Sequence, residues 1–276
     1  MIKFGFIGFG SMAKMLIGTL LNFGIAQEQV IVTRKDKIRL KEVNEFWSGI
    51  HTAETATEVA EKSQYIFLCI KPLEYKSIME EIKPCVDEQK HLISITGAVL
   101  LKDIENIVNC KITKIIPTII SEVKEGITLL SHNEKVSETD AGNIENILKS
   151  VGKIKRVNES DFGFATLLTS CGPGLLSAII DKFVQTAYEN HSNFEEEDIK
   201  EMVLQTFYGT TKLIIDKHIT PGEVISRVAT KGGITEEGVD VINSYIMPVF
   251  NEMFNKAQSK QKEVNAKVAS LFTQFE

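Results

Sequence analysis

Short apolar runs alternate with helix-type patterns through the first half of the chain. The run Tyr65–Ile70 is continuously apolar, which is typical of a strand buried on both faces of a parallel sheet. This alternation predicts βαβ units and a mostly parallel, doubly wound sheet. The predicted strands are Ile2–Ile7, Val30–Thr33, Tyr65–Ile70, Leu92–Ile95, Ile112–Ile116, Gly126–Leu130 and a last strand-like run at Lys153–Val157.

Beyond residue 157 the pattern changes to helices, and strand signals disappear. The predicted helices are Asp161–Thr169, Pro173–Tyr188, Glu195–Lys217, Pro221–Arg227, Glu236–Asn243 and Ser244–Ser270. We therefore expect an N-terminal Rossmann-type domain over residues 1–157 and an all-helical domain over residues 158–276. Several of these helices are apolar and too elongated to be buried against one sheet, which predicts self-association through the helical domain.

Residues 8–13 join the first strand to the first helix and carry the first chemical signal. Gly8 allows a tight turn off the strand, and Gly10 lets backbone N–H groups approach a pyrophosphate. The phosphate would lie at the positive N-terminal end of the helix, beside Ser11 and Met12. The βαβ context favours a dinucleotide site with these four contacts over the alternative, an ordinary strand–turn–helix corner.

The end of the second predicted strand indicates which dinucleotide is bound. A site for NAD would place an acidic residue there to bind the ribose hydroxyls. This chain has Thr33, Arg34 and Lys35 instead, and two cations with a hydroxyl suit a 2′-phosphate. We therefore predict NADP, with solvated loop charges as the alternative for Arg34 and Lys35. Asp36 comes slightly late for a ribose ligand, and a cap on the next helix is an equal alternative for it.

Composition narrows the protein class further. The 276 residues are 43% hydrophobic and 25% charged, as in a soluble globular protein, and the net charge of −6 argues against nucleic-acid binding. The four cysteines and five histidines show no disulfide or metal-ligand spacing, so we expect no metal and a cytoplasmic location. No apolar run approaches the roughly 18 residues of a membrane helix. Cys171 is interpreted as a buried packing residue.

Three later segments resemble those of pyrroline-5-carboxylate reductases. Residues 69–72 (Cys-Ile-Lys-Pro) resemble the family's Val-Lys-Pro turn. Residues 170–174 resemble its Gly-Ser-Gly-Pro-Ala segment, and residues 229–235 resemble its Ser-Pro-Gly-Gly-Thr-Thr loop. The resemblance covers essentially the whole chain in order and spacing. Within the family, the chain most resembles the divergent branch encoded with late-competence genes in Bacillus-like bacteria.

The resemblance implies NADPH-linked reduction of the cyclic imine 1-pyrroline-5-carboxylate to proline. It also places the turn with Cys69, Lys71 and Pro72 beside the nicotinamide half of the cofactor, although a simple strand-ending turn is an alternative for each side chain. Thr96 lies in the next strand-end loop, at the sheet edge where ligands of open α/β folds collect.

The substrate carboxylate also needs a binding group. Backbone N–H groups of Gly232 and Gly233, the Thr230 hydroxyl and the following helix start would form an anion-binding concavity. Thr235 is expected to bring a hydroxyl within reach of the imine nitrogen. The alternative for this loop is a plain interhelical turn. The family's intertwined dimers imply that the loop completes the site of a partner chain.

Some positions depart from the family's pattern. Residues 117–120 read Pro-Thr-Ile-Ile where the family usually carries Pro-Asn-Thr-Pro. The loss of the Pro-Asn-Thr-Pro sequence favours a second hypothesis, in which the protein is a catalytically weak, nucleotide-binding regulatory relative linked to competence. A β-hydroxy-acid dehydrogenase is a third interpretation, because such enzymes place a lysine on the first long helix of the second domain, where Lys182 lies.

Overall fold

The computed structural model describes residues 2–190 and 193–272. In this part of the chain, eight strands form one sheet in the order β3-β2-β1-β4-β5-β6-β7-β8. All neighbouring strands are parallel except β6 and β7, which are antiparallel. The strands are β1 Phe4–Ile7, β2 Val30–Thr33, β3 His51–Thr52, β4 Tyr65–Leu68, β5 His91–Ser94, β6 Lys111–Ile116, β7 Gly126–His132 and β8 Gly152–Arg156.

The doubly wound, mostly parallel sheet predicted from the alternating pattern is confirmed. Seven of the observed strands coincide with predicted ones to within a few residues at each end. The additional strand, β3, is two residues long and exposed, so it leaves no apolar run to recognise. The chain leaves β6 through the short 3₁₀ turn Ile119–Val123 and returns directly as β7, which makes that pair antiparallel.

Helices flank the sheet and follow it in the chain. They are α1 Ser11–Asn22, α2 Lys37–Leu40, α3 Glu42–Phe46, α4 Ala56–Lys62, α5 Tyr75–Ile82, α6 Leu101–Glu105, α7 Glu138–Leu148, α8 Phe162–Thr169, α9 Gly172–Asn190, α10 Glu196–Lys217, α11 Pro221–Val228 and α12 Ile234–Phe272. The prediction of separate helices at Glu236–Asn243 and Ser244–Ser270 is wrong. One helix of 39 residues runs through both, with Pro248 inside it.

Two apolar clusters cover the two faces of the sheet. Phe4 and Phe6 of β1 point to one face, where α1 and α7 pack on them. Ile7 points to the other face, which is covered by α4, α5 and α6 and by Val268 near the end of α12. Because side chains alternate along a strand, a sheet covered on both sides needs the continuously apolar strands that the sequence shows.

The chain divides into two compact units. The described residues 2–172 and 258–272 form the first, which contains the whole sheet. Pro173–Ala257 forms the second, whose buried core consists of Val184, Ile199 and Val203 with partly buried neighbours such as Phe207.

Large apolar side chains remain exposed in the second unit of this single chain. Tyr245 is 72% exposed. Further large apolar residues with more than half of their surface exposed are Leu176, Phe183, Phe194, Tyr208, Ile215, Val228, Ile234, Val241, Ile242, Met247 and Val249. An apolar surface of this extent marks a region that another molecule covers.

One helical stretch corrects the expectation that no apolar run approaches membrane length. By length and composition, Glu159–Asn190 would be able to cross a membrane, and only 11% of its most apolar window is buried in the single chain. A single helix of this kind is a weak indication of membrane insertion, because other apolar helices satisfy the same two criteria.

Candidate functional site

The turn after β1 is held by backbone contacts on two sides. Gly8 has a φ of +102°, and its N–H donates to the carbonyl of Thr33 at 2.8 Å. A Cβ atom at Gly8 would lie 2.2 Å from the carbonyl oxygen of Cys69, so no other residue fits without moving the chain. Gly8 therefore fixes the β1 exit between the ends of β2 and β4.

The space in front of α1 is open. Gly10 caps this twelve-residue helix in an extended conformation, and a Cβ atom there would meet no atom within 4 Å. Ser11 is exposed, Met12 is half-buried, and the first turn of α1 carries no acidic residue. Unpaired N–H groups at a helix start beside open space suit a phosphate, so these residues fit a dinucleotide's pyrophosphate.

A cleft of about 370 Å³ lies at the carboxyl ends of β1 and β2. It brings together four of the residues predicted to bind the cofactor: Gly8, Thr33, Arg34 and Lys35. Its remaining walls are formed by Ile7, Lys37, Glu54, Thr55, Ala56, Ile70, Glu74, Ser77, Ile78 and Glu81. The lining thus includes three cationic residues, Arg34, Lys35 and Lys37, together with carboxylates such as Glu54.

Arg34 is held at the rim of this cleft by Glu42. The Arg34 guanidinium lies 3.6 Å from the Glu42 carboxylate, and the arginine side chain is only 19% exposed. The same carboxylate lies 3.8 Å from Arg39, which is also 3.8 Å from Asp36. Asp36 caps α2, which is one of the two roles predicted for it. Glu42 was not predicted as part of the site, because its role depends on this tertiary contact.

Thr33 and Lys37 make contacts within the protein. The Thr33 hydroxyl is buried and donates to the Ala53 carbonyl at 2.8 Å, so its proton is committed inside the fold. Lys37, which was not predicted, donates from Nζ to the Glu54 carbonyl and lies 3.7 Å from the Glu54 carboxylate. Lys35 is exposed beside them.

The turn after β4 follows the same sheet edge. The Cys69 N–H donates to the Ile7 carbonyl at 2.8 Å, and burial raises the pKa of the Cys69 thiol, which keeps it protonated. Lys71 is exposed, and its backbone N–H donates to the Glu74 carboxylate at 3.2 Å. Pro72 opens the short 3₁₀ turn Pro72–Glu74 that leads into α5.

The loop after β5 is tied to this turn by Tyr75. Tyr75 is fully buried; its hydroxyl donates to the Leu68 carbonyl at 2.9 Å and accepts from the Ser94 hydroxyl at 3.2 Å. Thr96 is also buried, and its hydroxyl accepts a hydrogen bond from the Ala98 N–H at 3.2 Å. Tyr75 was not singled out by the sequence, because nothing local distinguishes it from other apolar helix positions.

The divergent segment at residues 117–120 lies at the carboxyl end of β6. Thr118, at the family's asparagine position, is 1% exposed, and its hydroxyl has no hydrogen-bond partner among the described residues. Ile119 is exposed to solvent. The asparagine's amide is thus replaced by an inward-facing hydroxyl and an outward-facing apolar side chain.

The predicted substrate loop belongs to the second unit. Gly232 has a φ of +73°, and its N–H donates to the Glu236 carboxylate at 2.6 Å. The Gly233 N–H donates to the Thr230 carbonyl at 2.8 Å. Thr230 and Thr235 are exposed. The concavity at the start of α12 thus already holds one carboxylate, which comes from the protein itself.

Two further interpretations concern residues around α9. Cys171 is exposed in the described chain, so its interpretation as a buried packing residue is wrong. It lies between the end of α8 and the start of α9. Lys182 lies on the exposed surface, where its ammonium group donates to Gln185 at 2.7 Å and lies 3.6 Å from Asp181.

Two of the histidines, His91 and His132, meet within the sheet rather than at the cleft. His91 and His132 both bond the Thr113 hydroxyl, at 2.7 and 2.9 Å. Within residues 2–190 and 193–272, no group of three or more His, Cys, Asp or Glu side chains could hold a metal ion. His191 lies outside the described residues.

The sheet, its glycine turn and the adjoining cleft define a dinucleotide-binding protein of the Rossmann type. Residues 3–98 match the family model described as NADP oxidoreductase, coenzyme F420-dependent. Residues 159–264 match the model described as pyrroline-5-carboxylate reductase dimerisation. The apolar stretch Glu159–Asn190 falls within this second match, which supports homo-oligomerisation of the chain.

The chain belongs to the pyrroline-5-carboxylate reductase family. It is 32% identical to pyrroline-5-carboxylate reductase 3 of Bacillus subtilis, over 97% of this chain and 98% of that protein. It is 24% identical to ComE operon protein 4 of the same organism, over 95% and 96% of the two chains. The predicted family resemblance is confirmed, and a competence-operon relative is among the similar proteins.

Solved structures confirm the fold. The crystal structure of Plasmodium falciparum pyrroline carboxylate reductase with NADP bound superposes with a TM-score of 0.80, at 24% identity, covering 99% of this chain and 98% of that one. The predicted Rossmann-type domain followed by a helical dimerisation region is the arrangement observed.

Proposed function

We propose that this protein reduces 1-pyrroline-5-carboxylate to L-proline with NADPH. The observation that carries the proposal is the match along nearly the full chain to a reductase of 32% identity. The regulatory alternative has less support, because the competence-operon relative matches at 24%. The solvent-exposed position of Lys182 offers no support for a β-hydroxy-acid dehydrogenase.

The cofactor residues act mainly as binding and orienting groups. Gly10, Ser11 and Met12 would hold the pyrophosphate through backbone N–H groups at the start of α1, and Gly8, whose own N–H is bonded to Thr33, would form the turn that brings the chain to this point. Arg34 and Lys35 would bind the 2′-phosphate, and Thr33 would hold the turn in place through its hydrogen bond to the Ala53 carbonyl. Cys69, Lys71, Pro72 and Thr96 would line the nicotinamide end. When bound, the nicotinamide supplies a hydride to the imine carbon.

The substrate residues lie at the start of α12. Thr230 and Gly232 would bind the substrate carboxylate through a hydroxyl and an N–H group, with Gly233 holding the loop through its bond to the Thr230 carbonyl, and Thr235 would bond the imine nitrogen. If the ring nitrogen binds already protonated, the hydride completes the amine and no general acid is needed. The protein's task is then to orient the ring and to exclude water.

The helical segment from residue 158 onward would form a homodimer and complete the substrate site of the partner chain. The exposed apolar residues of the second unit supply the surface for this contact. We further propose a cytoplasmic protein that binds neither nucleic acid nor membrane, in keeping with its net charge of −6 and its four free cysteines.

The proposal is tested by following the loss of NADPH absorbance with 1-pyrroline-5-carboxylate and identifying proline as the product. We expect turnover that is saturable in both substrates and much slower with NADH. NADPH binding, measured separately by calorimetry, serves as the control. Tight NADPH binding without imine reduction would reject the enzyme and favour the regulatory alternative.

A further inference from the structure

Tyr75 connects the exits of two neighbouring strands through one oxygen atom. Its hydroxyl donates to the carbonyl of Leu68, the last residue of β4, at 2.9 Å. It accepts from the Ser94 hydroxyl at 3.2 Å and from the Ile95 N–H at 3.3 Å, at the end of β5. One donated and two accepted bonds satisfy a phenolic hydroxyl, and the side chain is fully buried.

The residues held by Tyr75 come directly before the two loops at this sheet edge. Leu68 precedes Cys69, whose carbonyl oxygen occupies the space that a Cβ atom at Gly8 would need. Ile95 precedes Thr96. The β4 exit is thus fixed on one side by the glycine turn and on the other by the tyrosine.

Strand order decides which part of a dinucleotide lies above these loops. The glycine turn follows β1, which is central, and the cationic cleft lies on the β2 side. A cofactor with its pyrophosphate at β1 and its 2′-phosphate beside Arg34 must extend its other half over β4 and β5. This step rests on the proposed function.

We propose that Tyr75 is a positioning residue for hydride transfer. Its hydroxyl sets the separation between the Cys69 loop and the Thr96 loop, and these loops carry the nicotinamide end of the cofactor. Tyr75 itself is too deeply buried to touch the cofactor, so it acts through the two backbones that it joins.

The Tyr75→Phe variant removes the hydroxyl and keeps the ring. The Leu68 carbonyl and the Ile95 N–H then lose their shared partner, and the two loops can shift independently. Because small misplacements of reacting groups are costly, we expect kcat to fall about 10- to 100-fold. The affinity for 2′,5′-ADP should stay within about two-fold of wild type, since that fragment reaches only the β1 and β2 side.

A matched control is Tyr65→Phe. Tyr65 is a buried tyrosine at the opposite end of β4, and its ring stacks on Phe4. Removing its hydroxyl is expected to leave kcat unchanged. Ser94→Ala, which removes one of the two accepted bonds, is expected to lower kcat less than Tyr75→Phe does.

The outcomes separate this inference from the proposed function. If wild-type protein binds NADPH but does not reduce the imine, the proposed function fails. The role of Tyr75 is then tested by the affinities of Tyr75→Phe for NADPH and 2′,5′-ADP alone. The inference then stands if Tyr75→Phe weakens NADPH more than 2′,5′-ADP. The inference is overturned if the kcat and the ligand affinities of Tyr75→Phe match those of wild type. It is also overturned if the affinities for NADPH and 2′,5′-ADP fall equally, which would mark a purely structural role.

Discussion

The carboxylate of Glu236 accepts a hydrogen bond from the backbone N–H of Gly232, with 2.6 Å between oxygen and nitrogen. Glu236 is the third residue of α12 and reaches back across the helix start. An acidic side chain at this position is favoured by the helix dipole. It occupies the place where we propose that the substrate carboxylate binds, so the two anions compete for the same donor.

Replacing Glu236 with Gln should therefore improve substrate binding. The neutral amide oxygen is a weaker acceptor for the Gly232 N–H than the carboxylate, so the substrate anion displaces it more easily, and an exposed charge interaction of this kind contributes about 1 kcal/mol. We expect the KM for 1-pyrroline-5-carboxylate to fall about five-fold with kcat unchanged. Glu237→Gln removes a neighbouring exposed charge and is the control. An unchanged or higher KM in the Glu236 variant would contradict the competition.

Arg34 should determine the preference for NADPH. Hydrogen bonds to a charged phosphate contribute about 1.5 kcal/mol or more, so Arg34→Ala should weaken NADPH binding about ten-fold. NADH binding should not change, and calorimetry with both cofactors measures the ratio. Arg39→Ala is the matched control, because Arg39 contacts the same Glu42 but does not line the cleft. If the ratio of NADPH affinity to NADH affinity is unaltered in Arg34→Ala, Arg34 does not bind the 2′-phosphate.

Thr235→Val tests the proposed hydroxyl at the imine nitrogen. The substitution removes one polar atom and roughly keeps the shape of the side chain. Losing a hydrogen bond to a charged group costs about 1.5 to 3 kcal/mol, so kcat/KM should fall about 10- to 150-fold. Thr211→Val, on the exposed surface of α10, should leave steady-state kinetics unchanged. Wild-type turnover in the Thr235 variant would exclude that residue from the reaction.

Mild acid should destabilise the fold through His91. Burial lowers the pKa of His91 from its ordinary 6.5 to about 4, against a smaller opposing effect of Asp140. The folded state therefore resists protonation that the unfolded state accepts. The contribution of neutral His91 to the free energy of unfolding is fully present above pH 6.5. The free energy of unfolding falls by up to about 3 kcal/mol as the pH drops to 4.

Urea unfolding at pH 7, 5.5 and 4.5 measures this loss. His91→Gln keeps a polar partner for Thr113 without a titrating ring, and we expect it to remove most of the slope. His132 is shifted in the same direction and accounts for a remainder, whereas the pKa of Asp140 is lowered, so that carboxylate titrates at lower pH. An equally steep slope in the variant would assign the effect to other groups.

The sequence was informative wherever one local rule determines the structure. Buried parallel strands need continuous apolar runs, so residues 65–68 and their counterparts were recognisable. A two-residue exposed strand such as His51–Thr52 leaves no such run. The division of α12 after Asn243 was wrong, because Asn243 and Ser244 are weak helix-formers but do not end a helix whose hydrogen bonds continue on both sides.

In the candidate site, residues whose conformation is required locally were easier to predict than residues that support them. Gly8 was recognisable because its backbone conformation is required locally. Glu42, Tyr75 and Glu236 act by reaching another element or across a helix start, and residue type and spacing do not specify such contacts. Supporting groups of this kind became visible only through distances in the folded chain.

The exposed apolar residues of the second unit have a practical consequence for kinetics. If two chains must meet to cover this surface and to complete a site, dilution removes active sites without unfolding any sheet. Specific activity then depends on enzyme concentration whenever an assay is run below the dissociation constant of the dimer. Rate constants from very dilute samples would describe assembly as much as chemistry, and adding inactive chains would restore part of the lost rate.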